Sequence, residues 1–100
     1  MRLTTNAKRD ANEPEIIEAL REDGLFVIQH SGKGGEPDLF VELKCGFYLP
    51  LEVKGKDGKL TQAQKDYRGR RIVVRDADDA LAICRLMDHA FDVIKRGVGA

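Results

Sequence analysis

One hundred residues bound this chain to a single domain whose core buries roughly 60–65% of the surface the unfolded chain exposes. Seventeen basic and seventeen acidic residues give a formal net charge of zero, so overall charge points to no partner. Two widely spaced cysteines, Cys45 and Cys84, argue against a disulfide framework and a zinc site, and fit a reduced compartment.

Residues 1–11 read as a loose arm without the apolar segment of a signal peptide. No run reaches the roughly eighteen apolar residues of a membrane span. A cytoplasmic protein with no membrane partner is expected. Charge is unevenly spread. Residues 10–23 hold six acids and one arginine, residues 54–75 eight basic residues and two acids, and residues 76–92 five acids and one arginine. The basic block in the middle could meet a phosphate backbone.

Asn12 reads as a helix N-cap, with Glu15 closing a capping box and Pro14 tolerated in the first turn. The helix runs to about Asp23, where Gly24 stops it. Ile16, Ile17 and Leu20 form its buried stripe. Glu13 falls at the solvent end of that stripe, aimed at whatever the helix packs on. Leu25–His30 follow as a first strand. Ser31–Glu36 is a glycine-rich loop that lacks the full phosphate-loop pattern, so no nucleotide cofactor is expected.

Residues 37–54 contain two apolar runs around a tight Lys44-Cys45-Gly46 connection, a hairpin signal. Alternation turns Leu51 and Val53 to a core and Glu52 and Lys54 the other way. Asp38 opens the first run. Two acids and a lysine therefore meet at the ends of adjacent strands, a set that can hold a hard divalent cation such as Mg²⁺ or Mn²⁺. Pro50 cannot donate to a ladder, so it marks either a bulge or a point where the strand N–H faces outward.

Gly55–Lys59 is a lysine-rich turn. Thr61 then caps a short helix, with Gln64 closing a capping box and Gly69 ending it. A strand at Ile72–Arg75 precedes a last helix capped by Asp76. That helix is apolar around much of its circumference, and the surplus points to contact with a second chain. The order is α-β-β-β-α-β-α: an α/β domain with a small mixed sheet flanked by helices.

The chain resembles the PD-(D/E)XK nuclease superfamily, and more closely the short stand-alone VRR-NUC proteins of phages and prophages, which are related to archaeal-type Holliday junction resolvases. The resemblance runs from Lys8 to about Ile83. It rests on Glu13 in the first helix, the Pro37-Asp38 pair, Glu52-Val53-Lys54, Gln64 after a Leu-Thr start, and Arg75 with the acidic helix start that follows. It implies a restriction-endonuclease-like core and divalent-metal-dependent hydrolysis of DNA phosphodiesters, within the cytoplasm of a bacterium or an infected host cell. Asp38, Glu52 and the Val53 carbonyl would hold the metal, with Glu13 adding a carboxylate directly or through water. Lys54 would orient the attacking water and Gln64 would position Lys54 or a water. Lys33, Lys56, Lys59, Arg68, Arg70 and Arg71 would touch phosphates. Dimeric relatives that cut branched DNA imply a homodimer selective for branched or four-way-junction DNA, with residues 84–100 as a helical extension. The alternatives are a catalytically silent DNA-binding or assembly protein of the same fold, and a structural or regulatory phage protein.

Overall fold

The computed structural model describes residues 11–31 and 33–99. Except for Ala11, the arm expected at residues 1–11 lies outside them. The elements are α1 (Glu13–Glu22), β1 (Phe26–Gln29), a single 3-10 turn (Lys33–Gly35), β2 (Leu39–Glu42), β3 (Tyr48–Val53), α2 (Gln62–Asp66), β4 (Ile72–Val74) and α3 (Ala77–Gly99). The four strands form one sheet in the order β1-β2-β3-β4. The pairs β1–β2 and β2–β3 are antiparallel, and β3–β4 is parallel. The expected order of elements and the mixed sheet are both observed. Among the described residues no helix is long and apolar enough to cross a membrane.

Strand alternation divides the sheet into two unlike faces. Val27, Leu39, Val41, Leu49, Leu51 and Val53 point to one side, where Ile16, Ile17 and Leu20 of α1 and Ala80 and Cys84 of α3 close a core. Each fully buried Leu or Ile there contributes about 1.5–3 kcal/mol. Phe26, Ile28, Tyr48 and Val73 point to the other side and stay exposed. Helix α2, in the crossover between the parallel strands β3 and β4, covers only one end of that second face.

Local chemistry sets the element ends. Gly24, at φ +89°, terminates α1: its N–H bonds to the Arg21 carbonyl (3.0 Å) and the Leu25 N–H reaches back to Leu20 (3.1 Å), while Leu20 and Leu25 meet in the core. The chain between β2 and β3 turns at Lys44–Gly46, with Gly46 at φ +100° and, flanking the turn, the Leu43 N–H bonded to the Phe47 carbonyl at 2.7 Å. Asp88 of α3 accepts from the Lys44 and Cys45 N–H groups at 3.1 and 2.9 Å, and Phe47 meets Phe91 edge to face. The segment read as an extension from residue 84 is therefore part of one continuous helix that clamps the hairpin.

Pro50 makes no bulge. The register runs unbroken from Leu39↔Leu51 to Glu42↔Tyr48. Because the Leu43–Phe47 pair is hydrogen-bonded, alternation turns position 50 away from β2. β4 begins pairing only at Leu51↔Ile72, so the missing proline N–H falls where no neighbour needs it.

Two sequence expectations change. Asn12 has α-helical dihedrals and makes no side-chain cap. With Pro14 lacking an N–H, its amide instead donates to the Arg75 carbonyl at 2.6 Å and the Lys54 carbonyl at 3.3 Å. This pins the start of α1 to the ends of β3 and β4. Helix α2 stops at Asp66 rather than at Gly69, because Tyr67 turns extended (φ −65°, ψ 128°). α3 continues to Gly99, while Asp76 caps it as expected, accepting from the Asp79 N–H at 2.8 Å.

The bonds of Asn12 generate a test. Asn12→Ser installs a favoured capping residue yet removes both long-range donors. We expect it to destabilise the protein by about 1–2 kcal/mol in urea denaturation. A neutral or stabilising result would mean that position 12 acts as a simple cap.

Candidate active site

Asp38 lies one residue before β2. One further step of the β2–β3 register sets it directly opposite Glu52, on the same face. Its place is fixed by backbone bonds on both sides. The Asp38 carbonyl accepts from the His30 N–H at 2.7 Å. Its carboxylate Oδ2 accepts from the Val53 N–H at 2.9 Å. The Val53 N–H points past the end of β2, so Asp38 supplies the acceptor that the strand no longer offers. By the same strand geometry the Val53 carbonyl points to that edge as well.

The Glu52 side chain is 1% exposed. Its Oε2 accepts from Gln64 Nε2 at 2.7 Å and lies 3.8 Å from Lys54 Nζ. Its Oε1 is paired with Arg71 Nη1. Gln64 is fixed at its other end by the capping box: its Oε1 accepts from the Thr61 N–H at 2.8 Å, and its own N–H donates to Thr61 Oγ1 at 3.2 Å. Lys54 continues β3 through its N–H bond to the Val74 carbonyl at 3.0 Å. The lysine-rich turn after it is tied down by Arg75, which donates to the carbonyls of Gly55 and Gly58.

Burial raises the pKa of Glu52 to about 7, helped by its hydrogen bond to Asp38 and by the Asp38 charge, and against the pull of Arg71 and Lys54.

Family models, curated proteins and solved structures give no match to this chain.

Of the residues singled out in the sequence, Asp38, Glu52, Lys54 and Gln64 come together. Glu13 comes from the helical layer. It is buried, not at the solvent end of its stripe, and its Oε2 accepts from Gln29 Nε2 at 2.8 Å. Among the described residues no three His, Cys, Asp or Glu side chains gather as a metal-holding group. Lys33, Lys56, Lys59, Arg68 and Arg70 are exposed, as phosphate contacts must be. Arg71 departs from that expectation: its side chain is 7% exposed and turned inward. Its arginine neighbours in sequence gave no sign of this, because only the folded β4 aims it at Glu52.

The donor set suits a hard cation. Mg²⁺ commonly binds through one or two carboxylates and keeps several waters. Asp38 and Glu52, opposite each other on adjacent strands, offer two carboxylates of the kind such an ion takes.

The raised Glu52 pKa fixes a direction for stability. The folded protein holds this proton up to about pH 7, whereas an ordinary glutamate releases it near 4.5. The contribution is full below pH 4.5 and is lost as pH rises through 7. We expect Glu52→Gln to flatten this part of the stability profile, measured by urea denaturation from pH 4.5 to 8. An equally steep fall in the variant would assign it to other groups.

Proposed function

We propose that this chain is a divalent-metal-dependent nuclease with a restriction-endonuclease-like core, hydrolysing DNA phosphodiester bonds. The observation that carries the reading is the cross-strand Asp38–Glu52 pair with Lys54 two residues further along β3. The resemblance of Pro37-Asp38, Glu52-Val53-Lys54 and Gln64 to the PD-(D/E)XK pattern supports it.

Asp38 and Glu52 would hold Mg²⁺ or Mn²⁺, with the Val53 carbonyl at the same edge. A bound ion would supply Lewis-acid polarisation of the phosphoryl group and a water of lowered pKa. The protein's own side chains do the rest. Gln64 keeps the Glu52 carboxylate from rotating, because its amide is held at both ends. Lys54, tethered by the Val74 carbonyl, carries its ammonium beside Glu52 and offsets the negative charge that develops on the phosphoryl oxygens. Lys33, Lys56, Lys59, Arg68 and Arg70 position the DNA backbone without reading bases.

We further propose a homodimer that selects branched or four-way-junction DNA. Leu86, Val93 and Ile94 of α3 are 63%, 46% and 58% exposed, an apolar surplus that a second copy would cover, and two-fold symmetry would set two sites on two strands. Sedimentation at micromolar protein should give a dimer. A clean monomer would remove the basis for the junction preference.

The deciding assay uses labelled four-way junctions, flaps, single strands and duplex with Mg²⁺, Mn²⁺ or EDTA. Lys54→Ala should lower cleavage by roughly 10²–10³-fold while DNA affinity stays nearly constant. Asp38→Asn should lose metal-dependent cleavage and keep DNA binding, which should weaken with salt. Cutting in EDTA, or variants as active as the wild type, would sink the mechanism. Salt-sensitive binding with no cutting on any substrate would favour a silent DNA-binding protein.

A further inference from the structure

Arg71 stands apart from the other basic residues of the 54–75 block. Its guanidinium makes three kinds of contact at once. Nη1 bonds to Glu52 Oε1, Nη2 to the Gly35 carbonyl, and Nη2 also to the Gln64 carbonyl at 3.2 Å. Its Cζ lies 5.2 Å from the Tyr67 ring centroid. One planar group therefore joins β3, the loop that leads into Asp38, and the helix that carries Gln64.

The surroundings are shaped to keep it there. Gly35 (φ +80°) packs so closely on α2 that a Cβ would collide with the Ala63 carbonyl. This closeness brings the Gly35 and Gln64 carbonyls within reach of one nitrogen. A Cβ on Gly69 would meet the Tyr67 ring where it now stands, so glycine at 69 leaves room for the ring in this position. Three donors in fixed directions, with a flat face against an aromatic ring, are a task for arginine. The rotatable ammonium of a lysine does not reproduce them.

We infer that Arg71 is a positioning residue that orients the Glu52 carboxylate toward Asp38 and thereby sets how well the pair takes a divalent cation, rather than a contact to DNA phosphate. This rests on the reading of Asp38 and Glu52 as the cation-holding pair. Gly35 lies three residues before Asp38, so the bond to its carbonyl fixes the approach of the second carboxylate as well. Groups that orient metal-binding side chains from behind typically change affinity by about 10–100-fold when removed.

The test titrates the folded protein with Mn²⁺ alone, by calorimetry, and measures DNA binding separately in EDTA. Arg71→Lys keeps the charge and loses the fork. It should weaken Mn²⁺ binding at least tenfold, leave DNA affinity and its salt slope unchanged, and lower kcat rather than raise KM. Arg71→Ala should behave likewise, and added methylguanidinium should restore much of its Mn²⁺ affinity. Thermal melting of each variant separates these effects from unfolding. Wild-type Mn²⁺ affinity in Arg71→Lys would overturn the inference. So would weaker DNA binding with a salt slope reduced by about one phosphate and unchanged Mn²⁺ affinity. Wild-type protein that binds Mn²⁺ through Asp38 but cuts no DNA would end the nuclease reading and leave the role of Arg71 supported by the titrations. Wild-type protein that takes up no Mn²⁺ would remove the cation-holding pair itself, and the inference with it.

Discussion

The site depends on keeping one carboxylate almost completely out of water. Glu52 is 1% exposed and stands across from a second acid. An isolated buried carboxylate is strongly unfavourable, and a like charge beside it makes matters worse. Three groups make it tolerable: the guanidinium of Arg71, the amide of Gln64 and the ammonium of Lys54. None of them neighbours Glu52 by chance of sequence alone. Lys54 arrives by strand alternation, Gln64 by a capping box, and Arg71 by the parallel pairing of β4.

β3 is the element on which these arrivals converge. On one side its antiparallel partner β2 brings Asp38 opposite Glu52. On the other its parallel partner β4 follows directly after Arg71. A parallel neighbour requires a crossover, and that crossover contains α2. Gln64 is thus delivered by the same connection that delivers Arg71. The offset between the two partners also explains why a proline sits in a strand paired on both sides. Position 50 turns toward β4 one residue before β4 begins, and lysine 54 turns the same way after it has formed.

The parts of this arrangement that follow from local rules could be read from the chain. Alternation put Glu52 and Lys54 on one face and Leu51 and Val53 on the other. The capping signals placed Asp76 and the Thr61–Gln64 box, and glycine placed the end of α1 and the hairpin. What could not be read depended on partners distant in sequence. Asn12 has the composition of a cap, yet carbonyls from residues 54 and 75 compete for its amide and win. Tyr67 continues a plausible helix, yet leaves it to lie beside Arg71. Arg70 and Arg71 look alike in the sequence, but adjacent residues at the entry to a strand face opposite ways, and only one can be buried. The helical stripe located Glu13 on the buried side without revealing that Gln29 would receive it.

The two faces of the sheet give the site its character. Helices α1 and α3 cover the core face, where Val27, Leu39, Val41, Leu49, Leu51 and Val53 are buried. On the other face α2 is only five residues long, and it shields the end of the sheet that contains Glu52 while Ile28, Phe26 and Tyr48 stay open. Asp38, half-buried, sits at that boundary. Without α2, Gln64 and the carbonyl that helps hold Arg71 would be gone, and Glu52 would meet solvent. The early exit at Tyr67 belongs to this arrangement as much as the acids do: the shielding helix ends at Asp66, with Glu52 dry and Asp38 half-buried.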